Sequence, residues 1–152
     1  MGETYEANAA LKSEAAVAIL GRPALGDDSG LEVEALGGFP GLRSARMAPT
    51  QDERNRALLA RLAAAPRPWP ALFVCVVALS VPGRETRAFR GERRGEIVEP
   101  TAGIHGFGYD PLFRVPEVGR TFAEMEPGEK RLWSHRGAAV RALVESGALT
   151  GV

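Results

Sequence analysis

Helical and strand signals alternate along this chain of 152 residues, which predicts an α/β fold. Three observations carry the prediction. Amphipathic segments run from Thr4 to Leu20 and from Gln51 to Ala65, and a short apolar run, Leu72-Phe73-Val74-Cys75-Val76-Val77-Ala78-Leu79, has the length and β-branched content of a buried strand. With 45% hydrophobic and 25% charged residues the chain can bury a real core, which sets aside disordered and fibrous classes.

Taken in order, Thr4 is placed to cap the first helix, whose apolar residues Ala9, Leu11, Ala15, Ala16, Ile19 and Leu20 lie among polar ones until Gly21 and Pro23 end it. A short strand from Ala24 then reaches Asp27-Asp28. The glycine-rich stretch from there to Gly41 reads as a functional loop. The second helix carries Ala57, Leu58, Leu59 and Leu62 and stops before Pro66-Arg67-Pro68-Trp69-Pro70, ahead of the Cys75 strand. Strands are expected at 87–90 and 95–98, with turns at Pro82-Gly83 and Arg93-Arg94, and a closing helix follows Ser134 to about Leu149. No linker, repeat or low-complexity segment divides the chain, so one domain is expected, which a long sheet can split into two lobes.

Charge and cysteine usage narrow the function. Nineteen basic and nineteen acidic residues cancel, so no net field recruits nucleic acid or an anionic membrane, and an anion site must be built locally. The single cysteine, Cys75, sits in the apolar run as a small hydrophobe, and a chain without an internal disulfide fits a reducing cytoplasm. No stretch reads as a secretion signal or a bilayer span.

The chemistry is concentrated in Gly26-Asp27-Asp28-Ser29-Gly30-Leu31-Glu32-Val33. Two adjacent carboxylates followed by a hydroxyl and a glycine suit a metal or a polarised water better than a packing surface. With only two histidines and one cysteine no zinc set is available, and oxygen ligands point to magnesium or manganese. A second cluster, Gly103-Ile104-His105-Gly106-Phe107-Gly108-Tyr109-Asp110-Pro111, combines exposed backbone donors, two rings and a carboxylate, which suits a planar ring. Its glycines match no dinucleotide fingerprint, and Ser29 stands in no GxSxG turn. Lys130 and the group Ser134-His135-Arg136 at the start of the last helix favour phosphate or carbonyl oxygens, although Ser134 alone reads as a helix cap.

The order of these blocks, GETYEANAALKS, GDDSGLEVEALGGFPGLRSAR, LFVCVVAL, FRGERRGEI, GFGYDPLF, TFAEM, EK and SHRGAAV, resembles that of the inosine triphosphate pyrophosphatase family, the XTP/dITP diphosphatases, over nearly the whole length. The resemblance implies an elongated α/β structure around a long curved mixed sheet flanked by helices, with two lobes and a central cleft, commonly as a homodimer. It implies hydrolysis of ITP, dITP and XTP between the α and β phosphates, giving a monophosphate and pyrophosphate. Residue by residue, it implies Asp28 as general base and magnesium ligand, with Asp27 beside it as a second metal ligand, and Ser29 touching substrate. Phe107, Gly108, Tyr109 and Asp110 would hold the purine, Lys130, His135 and Arg136 would read its oxo edge, and Lys12 would meet phosphate.

Two departures from the family pattern go with this. The family's opening strand and its Thr/Ser-x-Asn-x-x-Lys loop do not precede Thr4 here, so residues 1–152 read as a single domain truncated at its N-terminus relative to the family. Ala7 stands where the family has a glutamate before the asparagine, and Glu6 is turned about 100° from that position around the helix. On these departures rests the alternative reading, a catalytically silent nucleotide-binding or dimer-forming relative.

Overall fold

The computed structural model describes residues 2–100 and 103–152. The elements are α1 (Tyr5–Leu20), β1 (Ala24–Val33), β2 (Pro40–Gly41), α2 (Gln51–Leu62), β3 (Trp69–Ser80), β4 (Arg87–Ile97), β5 (Phe113–Val115), β6 (Arg120–Thr121), α3 (Pro127–Trp133) and α4 (His135–Glu145). The strands form a six-stranded sheet in the order β2-β1-β3-β4-β5-β6. The β1/β2, β4/β5 and β5/β6 pairings are antiparallel. By packing the chain divides into two compact units, with boundaries that fall inside β1, β3 and β4.

The first unit comprises Met1–Ser29, Val74–Glu92 and His135–Val152. Its α1 begins and ends where the caps dictate. The Thr4 hydroxyl accepts from the Ala7 amide at 3.0 Å, and Gly21 closes the helix at φ 64°, its amide donating to the Val17 carbonyl. Helices cover both faces of this part of the sheet. On one, Ser13 of α1 meets Ser80 of β3 hydroxyl to hydroxyl at 2.7 Å. On the other, Cys75, Val77 and Leu79 pack with Ala139 and Leu143 of α4. Because side chains alternate along a strand, residues 75, 77 and 79 share one face and Ser80 takes the opposite one. Burial on both faces is why β3 reads as an unbroken apolar run. Two glycines set the approach of the helices. A Cβ on Gly26 would stand 2.6 Å from the Ala9 carbonyl oxygen, and one on Gly91 would collide with the α4 backbone at His135 and Ala139.

The second unit comprises Gly30–Phe73 and Arg93–Ser134. Its strands bury alternate residues, Leu31 and Val33, Trp69, Ala71 and Phe73, Phe113 and Val115, in one cluster with Leu58 and Leu62 of α2. Phe113 lies 4.6 Å from Phe73 and 5.1 Å from Phe122 between ring centroids, distances at which aromatic pairs add about 0.5–1.5 kcal/mol beyond burial. A capping box starts α2, with Thr50 and Glu53 each bonded to the other's backbone or hydroxyl.

Several expectations are corrected. The strand from Ala24 does not stop at the carboxylate pair but continues to Val33, because neighbouring strands supply its backbone partners. The residues from Ser29 to Val33, expected in a loop, are therefore strand residues that extend the strand carrying Asp27 and Asp28. The expected turn at Arg93-Arg94 is also absent, and a single β4 spans Arg87–Ile97, paired to β5 through Glu96 with Arg114 and Ile97 with Phe113. The second helix ends at Leu62, with Ala65 turning back to the Leu62 carbonyl before Pro66. The last helix ends at Glu145, because the Ser146 hydroxyl bonds the Leu143 carbonyl and Gly147 turns the chain at φ 74°. The short α3, opened by Pro127, was not expected. No helix is long and apolar enough to cross a membrane among the described residues.

Candidate functional site

The first unit gathers Lys12, Asp27, Asp28, Ser29, His135 and Arg136. Strand alternation sorts them. Gly26 and Asp28 point to the face covered by α1, and Asp27 and Ser29 to the face covered by α4. On the α1 face Asp28 is held by two residues one helical turn apart. Asn8 donates to its Oδ2 at 3.1 Å and Lys12 to its Oδ1 at 3.2 Å. The same ammonium also donates to the Asp27 backbone carbonyl at 2.7 Å. With its side chain 20% exposed, Asp28 is fixed in orientation yet open to solvent.

On the α4 face Asp27 pairs with Arg136 at 2.7 Å. Burial works against the guanidinium charge, but the hydrogen bond and charge of Asp27 outweigh it and hold the Arg136 pKa above its ordinary value. Cys75 lies next to this pair. Burial pushes its thiol pKa up, partly opposed by the Ser29 hydroxyl and the Arg136 guanidinium. His135 is buried at the start of α4. The structure therefore does not bring Asp27 and Asp28 onto one face, and Glu6 is turned to Arg90 at 3.1 Å.

The second unit gathers Phe107, Gly108, Tyr109, Asp110 and Lys130. Asp110 is its centre. One of its oxygens, Oδ2, accepts from the Phe107 amide at 2.8 Å and from the Lys130 ammonium at 2.6 Å. The carboxylate is 4% exposed, and a buried charge is tolerable only with partners of this kind. Lys130 also lies 4.7 Å from the centroid of the Phe107 ring. Phe107 is 57% exposed and presents a face for stacking, whereas Tyr109 is buried, with its hydroxyl donating to the Ser44 carbonyl at 2.7 Å. Burial raises the Tyr109 pKa. Gly106 turns at φ 75° directly over the Asp110 carboxylate, where a Cβ would collide with it.

Three supporting residues were missed in the sequence. Asn8 steadies Asp28, Ser44 anchors Tyr109, and Asn55 donates to the Gly108 carbonyl at 3.2 Å. Only Asn8 left a signal, its spacing of four residues from Lys12.

A metal would find one carboxylate here. No group of three or more His, Cys, Asp or Glu side chains is assembled among the described residues. Magnesium commonly takes one or two carboxylates and completes its shell with water and substrate phosphates, and Asp28, oriented and partly open to solvent, is a carboxylate that could hold it.

A family model described as Ham1 family matches residues 1–146. Among curated relatives, the dITP/XTP pyrophosphatase of Gloeobacter violaceus is 49% identical over 144 residues, covering 94% of this chain and 73% of the relative. That of Thermus thermophilus is 49% identical over 148 residues, covering 95% and 72%. Among solved structures, the Staphylococcus aureus Ham1 protein is similar with a TM-score of 0.88 at 42% identity, covering 97% of this chain and 78% of that one. A nucleoside-triphosphatase, dITP/XTP pyrophosphatase, from Mycobacterium abscessus gives 0.75 at 40% identity, covering 94% and 75%. With the family model and these relatives agreeing over most of its length, the chain belongs to the Ham1 family.

Proposed function

We propose that this chain hydrolyses non-standard purine nucleoside triphosphates, ITP, dITP and XTP, to the monophosphate and pyrophosphate. The relatives named dITP/XTP pyrophosphatase support this substrate class. The structural observation that carries the mechanism is Asp28, an oriented carboxylate on β1 with Lys12 and Asn8 bonded to its two oxygens.

In this reading Asp28 orients the attacking water and accepts its proton as the new P–O bond forms at the α phosphorus, and pyrophosphate leaves. Asp28 would hold a magnesium ion, which when bound would supply charge neutralisation at the phosphate oxygens and polarise phosphorus. Lys12 stands against Asp28 with a flexible stem and supplies positive charge to the phosphate chain. Asp27 acts at a distance from this chemistry by holding Arg136.

As the family resemblance implies, the purine is assigned to the exposed Phe107 ring, the backbone of 107–110 and Lys130, and the reading of its oxo edge also to His135 and Arg136 of α4. Donors aimed at a 6-oxo group accept hypoxanthine or xanthine, whereas the 6-amino group of adenine meets them donor to donor and leaves buried groups unpaired. The working unit is taken to be a cytoplasmic homodimer, as the family resemblance implies.

Asp28→Asn tests the assignment. It keeps the volume and one acceptor but removes the base, for which about a 10²–10⁴-fold loss of kcat is expected. Because asparagine keeps the volume and the Asp28 side chain stays partly open to solvent, little change in Tm is the expected companion result. Turnover within about twofold of the parent would remove Asp28 from the role.

A further inference from the structure

We propose that a cavity in the second unit, outside the residues given to catalysis, binds a phosphate-chain anion. The cavity measures about 330 Å³ and is lined by Phe39, Arg43, Arg46, Met47 and Arg61. Three arginines thus line one concavity in a chain whose net charge is zero. Arg43 and Arg61 take part in no ion pair among the described residues. The acidic residues of α2, Asp52 and Glu53, lie in its first turn, about 12 Å along the axis from Arg61, and Glu53 is occupied by Thr50.

The arginines sit on a fixed frame. The turn carrying Arg43 and Arg46 is closed by Arg43 N–H to the Pro40 carbonyl and Arg46 N–H to the Arg43 carbonyl. The buried Ser44 hydroxyl between them donates to the Gly41 carbonyl at 2.6 Å and accepts from the Leu31 amide at 2.9 Å. Arg54 and Tyr109 hold the backbone carbonyls of Ala45 and Ser44 from outside. Arg61 rides on α2, docked by the fully buried Leu58 and Leu62, and its guanidinium lies 4.4 Å from the centroid of the Phe39 ring. That stacking holds the fork in place and leaves its edge free to donate.

Planar guanidinium forks match phosphate oxygens in pairs, and rigid placement lowers the entropic cost of binding. The volume is about ten times that of a water molecule, too large for one phosphate group alone and suited to two or three in a chain. The source is either free pyrophosphate or the tail of a nucleotide, for which Phe39 and Met47 offer an apolar wall.

The test is an amide NMR titration of the full chain with sodium tripolyphosphate, repeated with R43A, R61A and the double variant. Shifts at residues 39–47 and 61 are expected in the parent, with affinity lowered about tenfold or more in the double variant, whereas turnover of ITP stays within about twofold because neither arginine belongs to the catalytic set. Tighter binding of adenosine diphosphate than of pyrophosphate at these amides assigns the site to nucleotides, and equal binding assigns it to the phosphate chain. Shifts confined to the neighbourhood of Lys12 and Asp28, unchanged shifts in the double variant, or an equal response to sodium chloride at matched ionic strength would overturn the proposal.

Discussion

Asp27→Asn separates the roles of two carboxylates that are adjacent in the sequence. Asp27 faces α4 and holds Arg136 at 2.7 Å, whereas Asp28 faces α1. Both side chains of the Asp27–Arg136 pair are nearly half exposed, 45% and 44%, so the pair contributes about 0.2–1 kcal/mol to folding after solvent screening. Asparagine retains a neutral hydrogen bond, so the stability loss falls below about 1 kcal/mol, a Tm change of about 2–4 °C or less in a chain of this length. If that same energy measures how firmly Arg136 is aimed, kcat/KM for ITP falls by about fivefold or less, since 1.36 kcal/mol corresponds to about tenfold. Pyrophosphate release at varied magnesium and ITP checks this beside Asp28→Asn. The expected pattern is a modest change in kcat/KM for ITP with an unchanged magnesium requirement. A loss as deep as that of Asp28→Asn, with magnesium affinity weakened, would refute the argument from strand alternation and return Asp27 to the metal.

Other outcomes follow from the same geometry. Arg136→Ala removes a base-reading donor and is expected to lower kcat/KM for ITP and XTP by about tenfold or more, with ATP little affected, and steady-state rates on the three nucleotides check it. Gly26→Ala places a Cβ 2.6 Å from the Ala9 carbonyl oxygen and 2.7 Å from the Ser13 amide nitrogen, so α1 must shift. Activity is expected to fall further than a stability loss of about 1–3 kcal/mol explains, because Asn8 and Lys12 move with the helix. Cys75 and Tyr109 both have raised pKa values in the folded chain through burial. The unfolded chain therefore releases these protons first, and the stability they contribute is intact below the unfolded values near 8.5 and 10 and declines as pH rises beyond them. Urea midpoints from pH 7.5 to 10.5 should fall at the alkaline end, with less of a fall in Cys75→Ala.

The first helix was legible because its ends are local chemistry, Thr4 and Gly21, whereas the short α3 and the exact ends of α2 and α4 were not. The apolar run of β3 was legible because both its faces are buried. Strand extent was not, since β1 beyond Asp28 and β4 through Arg93-Arg94 owe their conformation to neighbours distant in sequence. Adjacency in the sequence made Asp27-Asp28 look like one pair, whereas alternation along β1 turns the two carboxylates to opposite faces. Similarly, Phe107 and Tyr109 are equivalent rings in the sequence, and only the Tyr109–Ser44 hydrogen bond shows which one the core retains. Asn55 and Ser44 belong to elements far along the chain from the groups they hold, so spacing gave no hint of them.

The central claim is tested most directly by incubating the chain with ITP, dITP, XTP, ATP and GTP in the presence of magnesium and measuring pyrophosphate. The account predicts release from the first three, at kcat/KM at least about a hundredfold above ATP and GTP, and none when magnesium is chelated. No release from any of them, with nucleotide still bound, would contradict it and make the chain a silent member of its family.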